Sequence, residues 1–246
     1  NLADAAIAPN GAIFLCSSDC ALQFLVRSTD NGQTWTSLSE QFVAGRSTKL
    51  QKDESGRLFA LGCEGKIHRS YDEGLNWETL DVLPVFSDFE DMLVSPAGYL
   101  FALNDSMLYR SADGGDTWTS FLSPVNQQPD DPPKFLLRCG SQGELFCFDE
   151  DEGYAVYLST DHGTSWQLTN GQCFYYNWMH QHPDGTFYLN YYDFVSGDVH
   201  IRSAQDGLNW TPLSPQLPLW SPQIVQILPD GSIYFTARPQ QGQPFN

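Results

Sequence analysis

Short stretches of alternating apolar and polar residues recur along the chain, and each meets a turn that contains glycine. The clearest run from Glu90 to Val94 and from Tyr99 to Leu103, on either side of Gly98. A two-residue period predicts β-strands, and glycine at the positive-φ position of a tight turn joins two strands into a hairpin. The same turn recurs along the chain with the glycines Gly11, Gly56, Gly98, Gly143, Gly185 and Gly231.

A nine-residue sequence, here called the box, returns five times between these hairpins. The first copy runs from Arg27 to Trp35 and the last from Arg202 to Trp210, and successive box tryptophans are 42, 41, 48 and 44 residues apart. Such a period is typical of an array built from one supersecondary unit. With a third strand leading into the box and a fourth leaving it, each repeat predicts one four-stranded blade of a β-propeller.

Each box is predicted to form the turn between the third and fourth strands. Its aspartate and serine accept backbone hydrogen bonds, its glycine supplies the unusual φ, and its tryptophan folds over the hairpin. Because a catalytic acid is not needed in every blade, a structural role is favoured over catalysis or metal binding. The predicted structural residues are Ser28, Asp30, Gly32, Trp35, Ser70, Asp72, Gly74, Trp77, Ser111, Asp113, Gly115, Trp118, Ser159, Asp161, Gly163, Trp166, Ser203, Gly207 and Trp210.

The pattern S-x-D-x-G-x-[TNS]-W resembles the Asp-box, or BNR repeat, of sialidases, sortilin-type receptors, photosystem assembly propellers and several glycosidases. The resemblance covers essentially the whole chain and implies an all-β propeller. Enzymes, receptors and assembly factors share the repeat, so it implies no single function. The fifth box departs from the pattern, because Gln205 stands in the aspartate position and Asp206 follows as a candidate substitute.

Five complete repeats and the strands around Gly231 predict about six small four-stranded blades, the last one partial, in a single domain over residues 1–246. A sixth box is expected about 15 to 20 residues after Gly231, close to the last residue given. An open edge strand favours aggregation. We therefore expect further polypeptide, either a continuation of the chain or an additional chain or domain, to complete the last blade.

The excess of acidic over basic residues argues against negatively charged partners. The chain has 30 acidic and 12 basic residues, a net charge of −18, and no basic stripe, so nucleic acid and anionic membrane surfaces are poor partners. No apolar run approaches the length of a membrane span, so no membrane insertion is expected.

Six cysteines lack the C-x-x-C spacing of zinc or redox motifs. With so few lysines, they are typical of an extracellular or cell-surface protein that contains disulfides. Cys16 and Cys20 are the nearest candidate pair, and the alternative is that several cysteines are buried free thiols.

Ligand-binding residues are expected in the longer loops opposite the box turns. Acids and aromatic residues concentrate there, notably in the predicted loops at residues 190–198 and 214–222 and before Trp178; the candidates are Trp178, Tyr191, Tyr192, Asp193 and Trp220. An aromatic ring covers the face of a pyranose while a carboxylate accepts its hydroxyls, so this composition suits a glycan. It suits equally a protein partner that presents Lys or Arg.

Polar positions on the first strand of each blade form a second candidate site, at the mouth of the predicted central channel. They are Asp4, Lys49, Asp91, Arg138, Trp178 and His180. The alternative is that they make hydrogen bonds between blades or to channel water. We expect no metal or cofactor, because His180 and His182 lack a third ligand and the run Asp149 to Glu152 lacks calcium-loop spacing.

Two functions are compatible with these features. A sialidase clamp requires three arginines, and outside the boxes and the turn residue Arg57 only Arg46, Arg138 and Arg238 remain; the R-I-P element is absent. The first hypothesis is a secreted or surface-exposed, non-catalytic propeller that binds a glycan or a protein through its acidic, aromatic loop face, or serves as a module of a larger surface assembly. The alternative is a sialidase-like or other exo-acting glycoside hydrolase that uses two carboxylates.

Overall fold

The computed structural model describes residues 2–17, 25–38, 47–62, 66–80, 89, 91–104, 107–124, 135–149, 155–172, 179–193, 198–213, 220–228, 230 and 232–238. Over these ranges the chain forms β-strands and no helix, so none of this part offers a long apolar helix that could cross a membrane. The strands form five four-stranded antiparallel sheets and one two-stranded sheet. The all-β propeller predicted from the sequence is confirmed, with one blade for each repeat.

The chain divides into two compact units, and the first, Asn1–Ser123, contains three blades. Blade 1 comprises β1 (Leu2–Ile7), β2 (Ile13–Ser17), β3 (Leu25–Ser28) and β4 (Thr36–Ser37). Blade 2 comprises β5 (Ser47–Lys52), β6 (Leu58–Gly62), β7 (Ile67–Ser70) and β8 (Glu78–Thr79). Blade 3 comprises β9 (Asp91–Val94), β10 (Leu100–Leu103), β11 (Met107–Ser111) and β12 (Thr119–Leu122).

The second unit, Pro124–Asn246, contains two blades and the two-stranded sheet. Blade 4 comprises β13 (Phe135–Cys139), β14 (Leu145–Asp149), β15 (Ala155–Ser159) and β16 (Gln167–Gln172). Blade 5 comprises β17 (Met179–Gln181), β18 (Phe187–Asp193), β19 (Asp198–Ala204) and β20 (Thr211–Pro212). The two-stranded sheet pairs β21 (Trp220–Ile227) with β22 (Ile233–Arg238). A single domain over residues 1–246 stays a prediction.

Apolar layers lie between neighbouring blades. In β6 the side chains alternate between two such layers: Leu58 and Ala60 pack with blade 1, and Phe59 and Leu61 pack with blade 3. A third layer joins blades 4 and 5. Both faces of a central blade are therefore buried, which explains why β6 is apolar at nearly every position instead of alternating with polar residues.

The box turn of one blade packs against the preceding blade. Gly74 of box 2 has a φ of 77°, and a Cβ atom placed there would lie 2.4 Å from Cε1 of Phe14 in blade 1. Gly207 of box 5 meets Phe146 of blade 4 in the same way, at 2.9 Å. Glycine is required at these positions both by the left-handed backbone and by the close approach of an aromatic ring.

Candidate functional site

Hydrogen bonds lock the box carboxylates inside their own turns. In blade 2, the Ser70 hydroxyl donates to Asp72 Oδ1 at 2.9 Å and accepts the Gly74 N–H at 2.9 Å. The two Asp72 oxygens also accept the backbone N–H and the side-chain amide of Asn76, at 2.8 and 2.6 Å. The same arrangement recurs at Asp30, Asp113 and Asp161.

These hydrogen bonds stabilise the charged carboxylates. The Thr34 hydroxyl, together with the Thr34 N–H and the Ser28 hydroxyl, lowers the pKa of Asp30 to about 2. The Ser111 and Thr117 hydroxyls hold the pKa of Asp113 well below its usual range. A general acid needs a pKa near the working pH, so these aspartates are poorly suited to acid catalysis at neutral pH.

In the fifth box, Asp206 replaces the missing aspartate. Its Oδ1 accepts the N–H groups of Leu208 and Asn209, at 2.9 and 2.8 Å, and its Oδ2 accepts the Asn209 side-chain amide at 2.6 Å. Gln205 instead donates to the Thr186 hydroxyl at 2.6 Å. The turn therefore keeps a carboxylate at its centre although the aspartate has moved by one residue.

The box tryptophans differ in burial, contrary to the expectation that each folds over its hairpin and is covered. Trp210 is 2% exposed, whereas Trp35 is 40% exposed. Trp210 packs near Phe146 of the preceding blade, with ring centroids 6.3 Å apart. The indole N–H of Trp35 donates to the Gly32 carbonyl at 3.1 Å, within its own turn. Trp77, Trp118 and Trp166 are half-buried, so the burial of the box tryptophan varies from blade to blade.

The first strands of unit 1 bring three candidate residues together. Asp4 Oδ2 accepts the N–H of Leu50, the residue after Lys49, at 3.0 Å. The Lys49 ammonium forms an ion pair with Asp91 Oδ1, which also accepts the Met92 N–H at 2.8 Å. The Asp91 side chain is 2% exposed and that of Lys49 18%. These contacts connect adjacent blades. The sequence left two roles open for these residues, ligand binding and hydrogen bonds between blades, and the contacts of Asp4, Lys49 and Asp91 are of the second kind.

In unit 2, Arg138 lies on β13 and His180 on β17, the first strands of blades 4 and 5, and both are half-buried. Arg138 Nη1 donates to the Leu137 carbonyl at 2.8 Å. His182 Nε2 lies 3.0 Å from the Leu228 carbonyl oxygen, and His182 Nδ1 lies 2.9 Å from Asp184 Oδ1. Within the described ranges, no three His, Cys, Asp or Glu side chains are placed to hold a metal ion. Trp178 lies outside the described residues.

The predicted loop at residues 190–198 is mostly strand, which corrects the sequence interpretation. Tyr191 pairs with His200, Tyr192 with Val199 and Asp193 with Asp198. Among the described residues, β18 and β19 form seven residue pairs, whereas the equivalent strands of blades 1 to 4 form four. Tyrosine and valine favour extended backbone, so this hairpin continues beyond the point at which those of blades 2 and 3 close. We call residues 190–193 and 198–201 the blade 5 arm.

Two further aromatic or acidic candidates also lie in strands. Trp220 was expected in a loop but begins β21, where it pairs with Arg238. The register shifts between Trp220 and Gln223, around Pro222, because proline lacks the N–H that a regular ladder requires. Asp149 ends β14, and the rest of the acidic run lies outside the described residues.

No disulfide joins the cysteines within the part of the chain that the structure describes. Cys16 is buried with Sγ 3.6 Å from the Asp4 carbonyl, and its expected partner Cys20 lies outside the described residues, as do Cys63 and Cys173. Cys147 is buried and Cys139 is half-buried. Burial, together with the nearby Glu144, raises the pKa of Cys139 to about 12, so this thiol is a poor nucleophile.

Four-stranded blades joined through their box turns define this protein as an Asp-box β-propeller. Residues 3–135 match the DUF6242 beta propeller domain, and the chain belongs to that family. Residues 157–168 match the BNR/Asp-box repeat.

The chain is similar in sequence to xyloglucanases and similar in fold to several solved structures. A xyloglucanase from Paenibacillus sp is 29% identical over an alignment covering 61% of this chain and 18% of that protein. The structure of YCF48 bound to D1 peptide has a TM-score of 0.68 at 16% identity, covering 96% of this chain and 74% of that one. The GH74 enzyme from Niastella koreensis has a TM-score of 0.63 at 19% identity, covering 86% and 38%. The chain thus spans less than a fifth of the xyloglucanase, and the two structures show a shared fold.

Proposed function

We propose that this chain is a non-catalytic recognition propeller, located outside the cell or at its surface, that binds a glycan through the blade 5 arm. The observation that carries the proposal is that, among the described residues, β18 and β19 form three more residue pairs than the equivalent strands of blades 1 to 4. This extension carries Tyr191, Tyr192 and Asp193, the side chains that suit a sugar.

Two acidic residues on the first strands of their blades, Asp4 and Asp91, support a binding function over a catalytic one. A glycosidase needs two available carboxylates across a cleft. Asp91 is nearly fully buried and paired with Lys49, and Asp4 is hydrogen bonded to Leu50. Both acids are therefore engaged in holding blades together.

The class of glycan that we propose rests on the net charge of the chain and on its sequence similarity to xyloglucanases. A net charge of −18 opposes an anionic sugar, so a neutral polysaccharide is favoured. The relatives from Paenibacillus sp and Acetivibrio thermocellus are xyloglucanases. We therefore propose a neutral polysaccharide of the xyloglucan type as the ligand.

A glycoside hydrolase is the second candidate, and the same sequence similarity to xyloglucanases favours it. A protein partner with basic residues is another candidate ligand of the blade 5 arm, because the arm contains Asp193 and Asp198. The structure of YCF48 bound to D1 peptide is consistent with this alternative.

Affinity electrophoresis in gels containing xyloglucan tests the proposal. We expect the chain to be retarded, and the double variant Tyr191→Ala with Tyr192→Ala to migrate as in a gel without polysaccharide. Tyr71→Ala is the matched control, because Tyr71 is a 59% exposed tyrosine in a box turn, and it should be retarded like the parent chain. Unchanged retardation of the double variant would place binding elsewhere.

Assays of reducing-sugar release from xyloglucan and a panel of chromogenic glycosides distinguish the second candidate. We expect no turnover above the background rate. Hydrolysis that disappears on substitution of a single carboxylate would establish the glycosidase instead. Binding to a cationic peptide without binding to xyloglucan would identify the protein partner.

A further inference from the structure

The hairpin of β18 and β19 has two faces, and the strand pairing assigns each of its residues to one of them. Successive side chains of a strand alternate between the two faces, and residues directly opposite each other in a ladder share a face. The pairs run in step from Phe187 with Ala204 to Asp193 with Asp198. The alternation therefore continues without interruption from the base of the hairpin into the blade 5 arm.

One face is turned toward blade 4. Phe187 and Leu189 are buried in the apolar layer that joins blades 4 and 5, and the ring centroid of Phe187 lies 4.9 Å from that of Phe146 in β14. Arg202, which is opposite Leu189, donates from Nη1 to the Asn170 carbonyl of β16 at 3.4 Å. Contacts from both strands thus define the same surface, which we call the blade 4 face.

The opposite face is turned toward the sheet of β21 and β22. β21 lies beside β18 and β19. Ile201, the neighbour of Arg202 on β19, is only 5% exposed, although it belongs to the face turned away from blade 4. The two-stranded sheet is therefore the neighbour on this side, which we call the β21 face.

In the arm, the two neighbouring tyrosines belong to opposite faces. Tyr191 lies two positions after Leu189 and so shares the blade 4 face, whereas Tyr192 shares the β21 face with Ile201. The arm positions on the blade 4 face are Tyr191, Asp193, Asp198 and His200, and those on the β21 face are Asn190, Tyr192, Val199 and Ile201.

The blade 4 face has the chemistry that a neutral sugar requires. A pyranose ring stacks on an aromatic residue, and its hydroxyls need hydrogen-bonding groups beside that residue. In an antiparallel ladder, the Cβ atoms of directly opposite residues such as Tyr191 and His200 are about 5 Å apart. Residues two positions apart, such as Tyr191 and Asp193, are about 7 Å apart along the strand. One sugar unit can thus reach all three, whereas on the β21 face Tyr192 is opposite the aliphatic Val199, which offers a hydroxyl no partner.

Asp193 and Asp198 are directly opposite each other in the arm. Like charges at such positions destabilise a ladder. Sugar hydroxyls that donate to both carboxylates offset this repulsion. Ligand binding therefore gives the pair a role that strand pairing alone does not.

We propose, on the basis of the glycan-binding function proposed above, that the blade 4 face of the arm is the sugar-binding surface and that a sugar ring of the polysaccharide stacks on Tyr191. Asp193, Asp198 and His200 form hydrogen bonds with the hydroxyls of that sugar. Tyr192 lies on the face that adjoins β21 and contributes little to the affinity. The bound polysaccharide therefore lies on the side of the arm that is turned toward blade 4.

Affinity electrophoresis over a series of xyloglucan concentrations tests this assignment, because it gives a dissociation constant for each single variant. Tyr191→Ala should weaken binding at least about tenfold, and Tyr192→Ala by less than about threefold. Tyr191→Phe keeps the stacking ring and should bind within about threefold of the parent chain. Circular dichroism checks that each variant is folded.

A second pair of variants tests the assignment without removing a tyrosine. Asp193→Asn, on the blade 4 face, replaces a charged acceptor by a neutral one and should weaken binding about fivefold. Val199→Thr, on the β21 face, keeps a branched side chain and should change the dissociation constant by less than about threefold. This pair decides the question if Tyr191→Ala unfolds.

The outcomes separate this inference from the proposed function. If Tyr192→Ala weakens binding as much as Tyr191→Ala or more, the assignment of the face is wrong while the glycan-binding function stands. If Tyr191→Ala and Asp193→Asn both bind like the parent chain, the sugar lies on another surface of the protein. A parent chain that xyloglucan does not retard contradicts the proposed function itself, and this inference with it.

Discussion

The ammonium group of Lys49 on β5 pairs with the carboxylate of Asp91 on β9, and this contact joins the first strands of blades 2 and 3. Asp91 is 2% exposed, and its Oδ1 also accepts the Met92 N–H. A carboxylate in this position contributes to holding the blades in register. Its burial therefore has consequences for stability that can be measured.

Lys49→Met is expected to lower the free energy of unfolding by about 3 kcal/mol, because it leaves a buried carboxylate without its cation. Urea denaturation monitored by tryptophan fluorescence measures the change. The double variant Lys49→Met with Asp91→Leu should recover much of the loss, since no unpaired charge remains.

Lys52→Met is the matched control for Lys49→Met. Lys52 is exposed and donates to the Ile7 carbonyl at 2.8 Å, so its substitution should change the unfolding free energy by less than about 1 kcal/mol. Equal losses for the two lysine variants would mean that the buried pair has no special role.

Gly74→Ala is expected to destabilise the protein far more than Gly98→Ala. Both glycines have a similar positive φ, 77° and 80°, but a Cβ at Gly74 would lie 2.4 Å from Phe14, whereas nothing lies within 4 Å at Gly98. The shared backbone strain costs about 1 to 2 kcal/mol, and the clash adds about 1 to 3 kcal/mol at Gly74 only. Thermal unfolding of both variants measures the difference. Similar melting temperatures would argue against tight packing between the blades.

Asp206→Ala is expected to lower the free energy of unfolding by about 1 to 2 kcal/mol, because three donors in the fifth box lose their acceptor. Gln205→Ala should cost less, since Gln205 donates a single hydrogen bond to Thr186. Urea denaturation of the two variants compares them directly. A larger loss for Gln205→Ala would show that the turn is not centred on Asp206.

The box aspartates are expected to make stability fall in acid. The pKa of Asp30 is lowered from 3.8 to about 2 in the folded protein, so its contribution is complete above the unfolded value and is lost as the pH falls through about 2. The melting temperature of Asp30→Asn should therefore decline less than that of the parent chain between about pH 4 and pH 2. Glu54→Gln, at an exposed turn position, is the control and should follow the parent curve.

The spacing of the boxes and turn glycines determined the fold. Gly98 with its flanking alternation predicted the β9–β10 hairpin, and the hydrogen bonds that Ser70, Asp72 and Asn76 form lie within one turn. Such features are readable from the sequence because donors and acceptors are only a few residues apart. The replacement of the missing aspartate by Asp206 was open to inference for the same reason.

The tertiary structure decided how these elements are used. The sequence could name Asp4, Lys49 and Asp91, but only the packing of adjacent blades shows that their groups bond across strands more than 40 residues apart. It also could not show that Tyr191 to Asp193 continue a strand, because pairing requires a partner at residues 198–200. Local hydrogen bonds are encoded in short motifs, whereas burial and strand pairing depend on which distant residues the fold brings together.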